Sequence, residues 1–273
     1  MIETFKPVDE ESLSAIIDII GKSWSINLEG YSQCSMRRRL HSFLELEDIS
    51  SLSEFMHRVD TDDTFRSKLI GGLTVKYTEF FRDPEVFTNV TNLLAEMAGK
   101  EIIRIWHAGC SSGEELYSLA ILMHERGLLN KCHFYGTDLN PESIRHASEG
   151  KFCPEEIESA VASYMRCNGK YDFRAYFSIG STCAQIQPFL KKQLKFFNHN
   201  LVADSCFAKF DLVMCRNVLI YFDDEYQYRA MDVLSESLFT NGILAIGSSE
   251  SIPPAYSDAY TVLDQQKKIF LRN

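Results

Sequence analysis

Apolar residues recur along this chain with two different periods, and the change from one to the other divides it. In the first 75 or so residues they fall at helical spacing. Glu11–Ile20 carries Leu13, Ile16, Ile17 and Ile20, and a break at 27–30 precedes Tyr31–Leu46 with Met36, Leu40, Phe43 and Leu44 as its stripe. Ser51–Val59 opens with Ser51 and has Glu54 three residues on, a capping-box pattern. A further helix, Asp63–Gly71, is expected to stop at the pair Gly71-Gly72. From residue 102 short apolar runs alternate with helical stretches, the pattern of a mostly parallel sheet covered on both faces. The expected strands are Ile102–Ala108, His133–Thr137, Leu194–Phe197, Phe210–Cys215, Gly242–Gly247 and Lys268–Leu271. The expected helices are Glu114–Glu125, Pro141–Glu149 and Asp224–Leu238, with another from Pro154 to about Met165. The stretch YDFRAYFSIGSTCAQIQPFL has no helical period and reads as a hairpin outside the main sheet. The pattern predicts a helical domain over 1–75, a linker helix over 76–101, and an α/β domain over 102–273 with an insertion at about 166–192.

The first strand of the α/β part ends in Gly109-Cys110-Ser111-Ser112-Gly113 and runs into a helix that begins with Glu114 and Glu115. Glycine has no Cβ and tolerates φ > 0, so a ligand can approach bare backbone at such a turn. Ligands of open α/β sheets bind where a turn of this kind meets a helix N-terminus. Two glutamates there disfavour phosphate, which wants free N–H groups and no competing anion. A carboxylate suits ribose hydroxyls, so the expected ligand is an adenosine-bearing molecule without phosphate.

Composition narrows the partners. The net charge of −10 makes nucleic acid an unsuitable partner, because backbone phosphates demand a basic face. No apolar run approaches the roughly 18 residues of a membrane span. The acidic start MIETFKPVDEE lacks the order of a signal peptide. The eight cysteines show no metal-like spacing, so we expect reduced core thiols, no bound metal and a cytoplasmic protein.

Three further clusters carry candidate chemistry. Asp138 ends the second strand, where dinucleotide folds hold ribose hydroxyls. Asn140 is the better N-cap for the helix opening at Pro141, which leaves Asp138 free for a ligand. The core strand FDLVMC opens directly into Arg216, Asn217 and Val218, with Tyr221 beyond, at the carboxyl edge of the sheet. The joint between the two parts reads TVKYTEFFRD and contains Lys76, Thr78 and Arg82.

Together TVKYTEFFRD, RIWHAGCSSGEELYSLAI, GTDLNPESIRHASEGKF, FFNHNL, FDLVMCRNVLIYFD and NGILAIGSSES resemble, in order, the CheR-type chemoreceptor glutamate methyltransferases, which use S-adenosylmethionine. The leader containing YSQCSMRRRL resembles that family's N-terminal domain. The resemblance implies a class I methyltransferase fold: a Rossmann-like, seven-stranded, mostly parallel sheet with a small β-insertion and an N-terminal all-helical domain. It implies S-adenosylmethionine as cofactor, S-adenosylhomocysteine as product, and the cytoplasmic helices of a chemoreceptor as protein substrate. Carried over by position, Glu115 and Asp138 resemble the adenosine-side acids, beside Gly109. Asn200, Leu201, Asn217 and Val218 resemble the residues around the base and the amino acid moiety. Thr78 and Arg82 resemble cleft residues, and Tyr221 the aromatic beside the reacting methyl. Lys76 stands where the family usually has Asn. The insertion offers only Gly180 where the family often has a glycine-rich turn, which argues against docking of a receptor tail.

Residue chemistry agrees with that transfer. An acceptor carboxylate is already ionised at neutral pH, so the catalytic task is placement rather than proton removal. A guanidinium binds a carboxylate in bidentate fashion and stays charged, which makes Arg82 the expected orienting group and Tyr221 a donor and wall near the methyl. Arg37 and Arg38, in the basic block Arg37-Arg38-Arg39, are expected to face acidic receptor helices. Two other readings compete. One is a non-catalytic module that binds S-adenosylmethionine. The other is a serine hydrolase with Ser111 as nucleophile, since Gly109–Gly113 also fits G-x-S-x-G. No histidine follows His199, where that hydrolase fold would place its base.

Overall fold

The computed structural model describes residues 16, 33–49, 51–73 and 78–273. The predicted helix Glu11–Ile20, apart from Ile16, and the predicted cofactor residue Lys76 lie outside these. The chain forms two compact units, one of Met1–Lys76 with Tyr221–Tyr226 and one of Tyr77–Ile220 with Gln227–Asn273.

Among the described residues of the first unit, helices α1 (Gln33–Leu46), α2 (Leu52–Thr61) and α3 (Asp63–Leu73) enclose an apolar centre. The predicted stripe Met36, Leu40, Phe43 and Leu44 is buried, as are Phe55, Val59, Phe65 and Leu69 of the other two helices, and the Phe43 and Phe65 rings meet at 5.3 Å between centroids. Ser51 caps α2 by accepting from the Glu54 N–H at 3.2 Å. The pair Gly71-Gly72 does not end α3, which runs on to Leu73. A Cβ at Gly72 would lie 2.9 Å from the Phe43 ring, so this glycine serves close helix packing rather than a stop.

The second unit is built on a seven-stranded sheet ordered β6-β2-β1-β7-β8-β10-β9. Its strands are β1 (Ile103–Ala108), β2 (Cys132–Asp138), β6 (Leu194–Asn198), β7 (Phe210–Cys215), β8 (Leu238–Ile246), β9 (Tyr260–Asp264) and β10 (Ile269–Arg272). The five from β6 to β8 are parallel, while β10 runs antiparallel to both β8 and β9. Helices α4 (Pro84–Glu96), α5 (Glu114–Glu125), α6 (Pro141–Glu149), α7 (Pro154–Arg166) and α9 (Asp224–Glu236) accompany these strands, with a short α8 (Pro188–Lys191) before β6.

The apolar pattern marks six strands of the main sheet, which has seven, the number the family resemblance implies. The unforeseen one, β9, lies at the sheet edge and buries only Tyr260 fully, so no apolar run marks it. Among the described residues of the expected linker helix over 76–101 the α-helical part is α4, with non-helical backbone at 78–83. The insertion is a three-stranded antiparallel sheet of β3 (Lys151–Phe152), β5 (Ala184–Ile186) and β4 (Phe177–Ile179). It therefore begins before the expected residue 166, because β3 precedes α7. The cysteines are not uniformly core: Cys153 is exposed, and Cys183 and Cys206 are half-buried.

Strand order places the site. From β1 the chain moves to β2 on one side and later crosses to β7 on the other. The carboxyl ends of β1, β2 and β7 thus flank a topological switch point, where open α/β sheets bind ligands.

Candidate functional site

The turn after β1 is fixed by the tip of β2. Gly109 and Cys110 both donate their N–H to the Thr137 carbonyl at 2.8 Å, and Ser111 N–H donates to Asp138 Oδ2 at 2.9 Å. Gly109, Ser111 and Gly113 have φ of +73°, +49° and +95°. A Cβ at Gly109 would lie 2.4 Å from Val218 Cγ2, so glycine is required both by its φ and by the close approach of the loop after β7. Asp138 is not the free acid expected from sequence. Its Oδ1 also accepts from the Asn140 N–H at 2.9 Å, so the carboxylate orders two turns at once. Asn140 caps α6 as expected, accepting from Glu142 and Ser143.

Glu114 and Glu115 open α5 into different surroundings. Glu115 Oε2 accepts from Arg216 Nη1 at 2.9 Å, and its Oε1 lies 3.1 Å from His107 Nδ1. Burial pushes the Glu115 carboxyl up, but Arg216 first and His107 second outweigh it and hold it below the ordinary carboxylate range. Glu114 has neutral donors nearby: its own backbone N–H, Ser112 Oγ at 2.8 and 2.9 Å from its two carboxylate oxygens, and the Thr78 side chain. Burial dominates there and pushes Glu114 up to about 7, although hydrogen bonds oppose it. Glu114 lines a cavity of about 120 Å³ with Thr78, Glu156, Ser159 and Ser163.

The third edge follows β7. Arg216 is buried, with its side chain 1% exposed. Beyond Glu115 it donates from Nη1 to the Arg82 carbonyl at 3.1 Å and from Nη2 to the Asp83 carboxylate. The next residue, Asn217, has φ +60°, and its Oδ1 is buried without a hydrogen-bond partner. One carboxylate holds this loop: Glu250 accepts from the N–H groups of Asn217, Val218 and Ile220 at 3.0, 2.8 and 3.3 Å, and from Gly247 at 2.5 Å. A Cβ at Gly247 would lie 2.7 Å from that carboxylate. Burial nevertheless pushes Glu250 up from the ordinary range, with these hydrogen bonds opposing it.

Of the residues singled out in the sequence, the structure gathers Gly109, Glu115, Asp138, Asn217, Val218 and the Arg82 backbone around the three strand tips. The loop after β6 joins them: the His199 N–H donates to the Asp138 carbonyl at 3.2 Å, ahead of Asn200 and buried Leu201. The Asn200 side chain accepts from the Val202 N–H at 3.1 Å and so shapes its own turn. Thr78 meets Glu114 rather than Glu115. Tyr221 groups with the helical unit, where Arg39 lies over its ring at 5.0 Å. Arg39 also donates to the Leu73 carbonyl at 2.8 Å, so this member of the basic block is committed within its own unit. Arg37 is half-buried and Arg38 is exposed.

Sequence reasoning missed His107, Glu250 and the part played by Arg216. The available signals were a histidine inside an otherwise apolar strand, an acid four residues beyond β8, and an arginine directly after six buried residues.

The donor set suits a nucleoside that carries no phosphate. The edge presents the carboxylates of Glu115 and Asp138, a glycine that cannot accept a side chain, and an orphaned buried amide oxygen on Asn217. The buried arginine is already neutralised by two carboxylates, which leaves it a poor phosphate ligand. The hydrolase reading fails on the same geometry. The Asp138 carboxylate lies 2.9 Å from the Ser111 backbone nitrogen, so an oxyanion would form beside a negative charge.

Comparison with known proteins agrees. Residues 76–269 match the model of the CheR methyltransferase SAM-binding domain, and residues 11–74 match the CheR methyltransferase all-alpha domain. The provisionally assigned methyltransferase Cher3 of Pseudomonas putida is 36% identical over 260 residues, covering 94% of this chain and 95% of its own. A chemotaxis protein methyltransferase of Listeria innocua is 32% identical, covering 86% and 87% of the two chains. One from Borreliella burgdorferi is 30% identical, covering 90% and 89%. With both domain models matched in order along a class I sheet, the chain belongs to the CheR family of S-adenosylmethionine-dependent methyltransferases.

Proposed function

We propose that this chain methylates glutamate side chains on the cytoplasmic helices of a chemoreceptor, giving glutamate methyl esters. The relatives named chemotaxis protein methyltransferases support that substrate class. The observation that carries the reading is the chain of contacts from Glu115 through Arg216 to the backbone of Arg82. It ties an acid of the nucleoside edge to the arginine best suited to a carboxylate acceptor.

Bound S-adenosylmethionine supplies an activated sulfonium methyl. The chain supplies placement. Glu115 and Asp138 offer acceptors for ribose hydroxyls, Gly109 lets the turn beside them close against Val218, and Asn217 offers its amide oxygen. Arg82 orients the acceptor carboxylate in line with the methyl, and Tyr221 provides a donor and a wall. Because a glutamate acceptor is ionised at neutral pH, no residue here has to act as a base. Charge is partly cancelled at the transition state, so Arg82 must orient the anion without over-stabilising it in the ground state. Among the described residues no helix is long and apolar enough to cross a membrane. Arg37 and Arg38 are the proposed contacts to acidic receptor helices.

The test is radiolabelled methyl transfer to receptor-containing membranes, with base-labile release of label as the mark of a carboxyl ester. Arg82→Ala should lower turnover about 100-fold or more, the scale of a lost electrostatic contact at a reacting group. Calorimetric affinity for S-adenosylhomocysteine should fall far less. Equal losses in both would remove Arg82 from the acceptor.

A further inference from the structure

Arg82 sits in an unusual stretch of backbone. Its neighbours Phe81 and Asp83 have φ of +55° and +54°, a region that costs a bulky residue such as phenylalanine energy. Three things hold the stretch. Phe80 and Phe81 pack edge-on against Phe173, with ring centroids at 5.5 and 5.2 Å. The Phe81 N–H donates to buried Ser118 Oγ at 2.9 Å. The third is the Arg216 guanidinium, bonded at once to the Arg82 carbonyl, the Asp83 carboxylate and Glu115.

We propose that Arg216 is a positioning residue for methyl transfer, setting the Arg82 backbone and the Glu115 carboxylate in one mutual geometry. The guanidinium is suited to this because its planar fork fixes direction as well as charge, which a lysine ammonium does not. It sits on the sheet edge directly after β7, so its own anchor is rigid. Its partners come from the start of α5 and from the turn before α4, two segments otherwise joined at this level by the Phe81–Ser118 bond. Loss of the fork therefore frees the turn that carries Arg82 while the sheet stays intact. Loss of the Asp83 arm alone loosens the turn, which keeps its bond at the Arg82 carbonyl, and leaves Glu115 held.

This inference rests on the reading that Arg82 orients the acceptor, and the experiment separates the two. Arg216→Lys keeps the charge and removes the fork. Asp83→Asn removes only the charge of one arm, because Asn tolerates a left-handed φ at least as well as Asp. Each variant is taken through urea denaturation without ligand, calorimetric binding of S-adenosylhomocysteine, and single-turnover methyl transfer at saturating cofactor. Arg216→Lys should lose about 10-fold in S-adenosylhomocysteine affinity and more than about 30-fold in transfer rate, in the range of a lost charged hydrogen bond or two. Asp83→Asn should lose about 10-fold in transfer rate with affinity changed less than about twofold. A purely structural Arg216 predicts lower stability with the saturated rate unchanged in both variants, and that result overturns the proposal.

Should the wild-type protein bind S-adenosylhomocysteine yet methylate no acidic acceptor, the functional reading fails. The NMR resonance of the Arg82 guanidinium, identified by its absence in Arg82→Ala, then decides about Arg216 alone. Collapse of that resonance into the averaged surface arginines in Asp83→Asn supports positioning. An unmoved resonance refutes it.

Discussion

Glu114 and Glu115 are consecutive residues at the start of one helix, both largely withdrawn from water, yet their surroundings drive them in opposite directions. Around Glu115 the protein supplies a guanidinium and an imidazole nitrogen, and the carboxyl is held below its ordinary range. Around Glu114 it supplies a backbone N–H and hydroxyls, and the carboxyl rises to about 7. Burial is therefore not what distinguishes the two acids. A full opposite charge close by repays desolvation, whereas neutral donors repay only part of it. One region is consequently an acid fixed as an anion at every physiological pH, at the edge where a nucleoside would bind. The other gains and loses a proton near neutrality beside a small polar cavity.

The comparison breaks most severely if the counter-charge goes. Arg216→Met should destabilise the protein by about 3–5 kcal/mol at pH 7.5, the cost of leaving one member of a buried ion pair alone. Urea denaturation checks this, and the loss should shrink in acid. The sign follows from the lowered pKa of Glu115: its stabilisation is present above the ordinary carboxylate range and disappears as pH falls through the folded-state value.

A smaller effect of opposite sign is expected at Glu114. Its folded-state pKa is raised, so its favourable contribution is complete below about 4.5 and is lost as pH climbs through about 7. Glu114→Gln should therefore gain stability relative to wild type across that window, by up to about 3 kcal/mol, and show no further gain above it. Melting curves of the two proteins from pH 4.5 to 8.5 give the difference directly; parallel curves would refute the assignment. The smallest effect belongs to Ser112→Ala, which removes the one O–H donor shared by the two Glu114 carboxylate oxygens. It should cost about 1.5 kcal/mol at pH 8, where the carboxylate is charged, and much less at pH 5. Stability measured at those two pH values tests it.

Local rules made much of the sheet unit legible. Helices Glu114–Glu125 and Pro141–Glu149 match their predicted bounds, because a glycine turn precedes the first and the Asn140 cap with Pro141 opens the second. The buried strand Phe210–Cys215 was equally plain, since six consecutive apolar or cross-sheet positions leave little alternative. Strand β9 was illegible because an edge strand facing water on most of its positions has no apolar signature. Gly71-Gly72 misled for a related reason. A glycine reads locally as a helix stop, yet here the Phe43 ring, 29 residues earlier, is what requires it.

The site divides along the same line. The sequence by itself determined the glycine turn, the two acids after it, Asp138 at the strand tip and the polar residues after β7, for these are set by short-range chain direction. Only the tertiary structure decided which acid keeps its charge, that Asp138 ties two turns together, and that Glu250 holds the loop of Asn217 and Val218 from 30 or so residues away. Arg216 and the Arg82 turn are separated by 134 positions, and Arg216 and Glu115 by 101. Electrostatic partnership depends on distance through space and on how much water is excluded, and neither quantity is written in the spacing of residues along a chain.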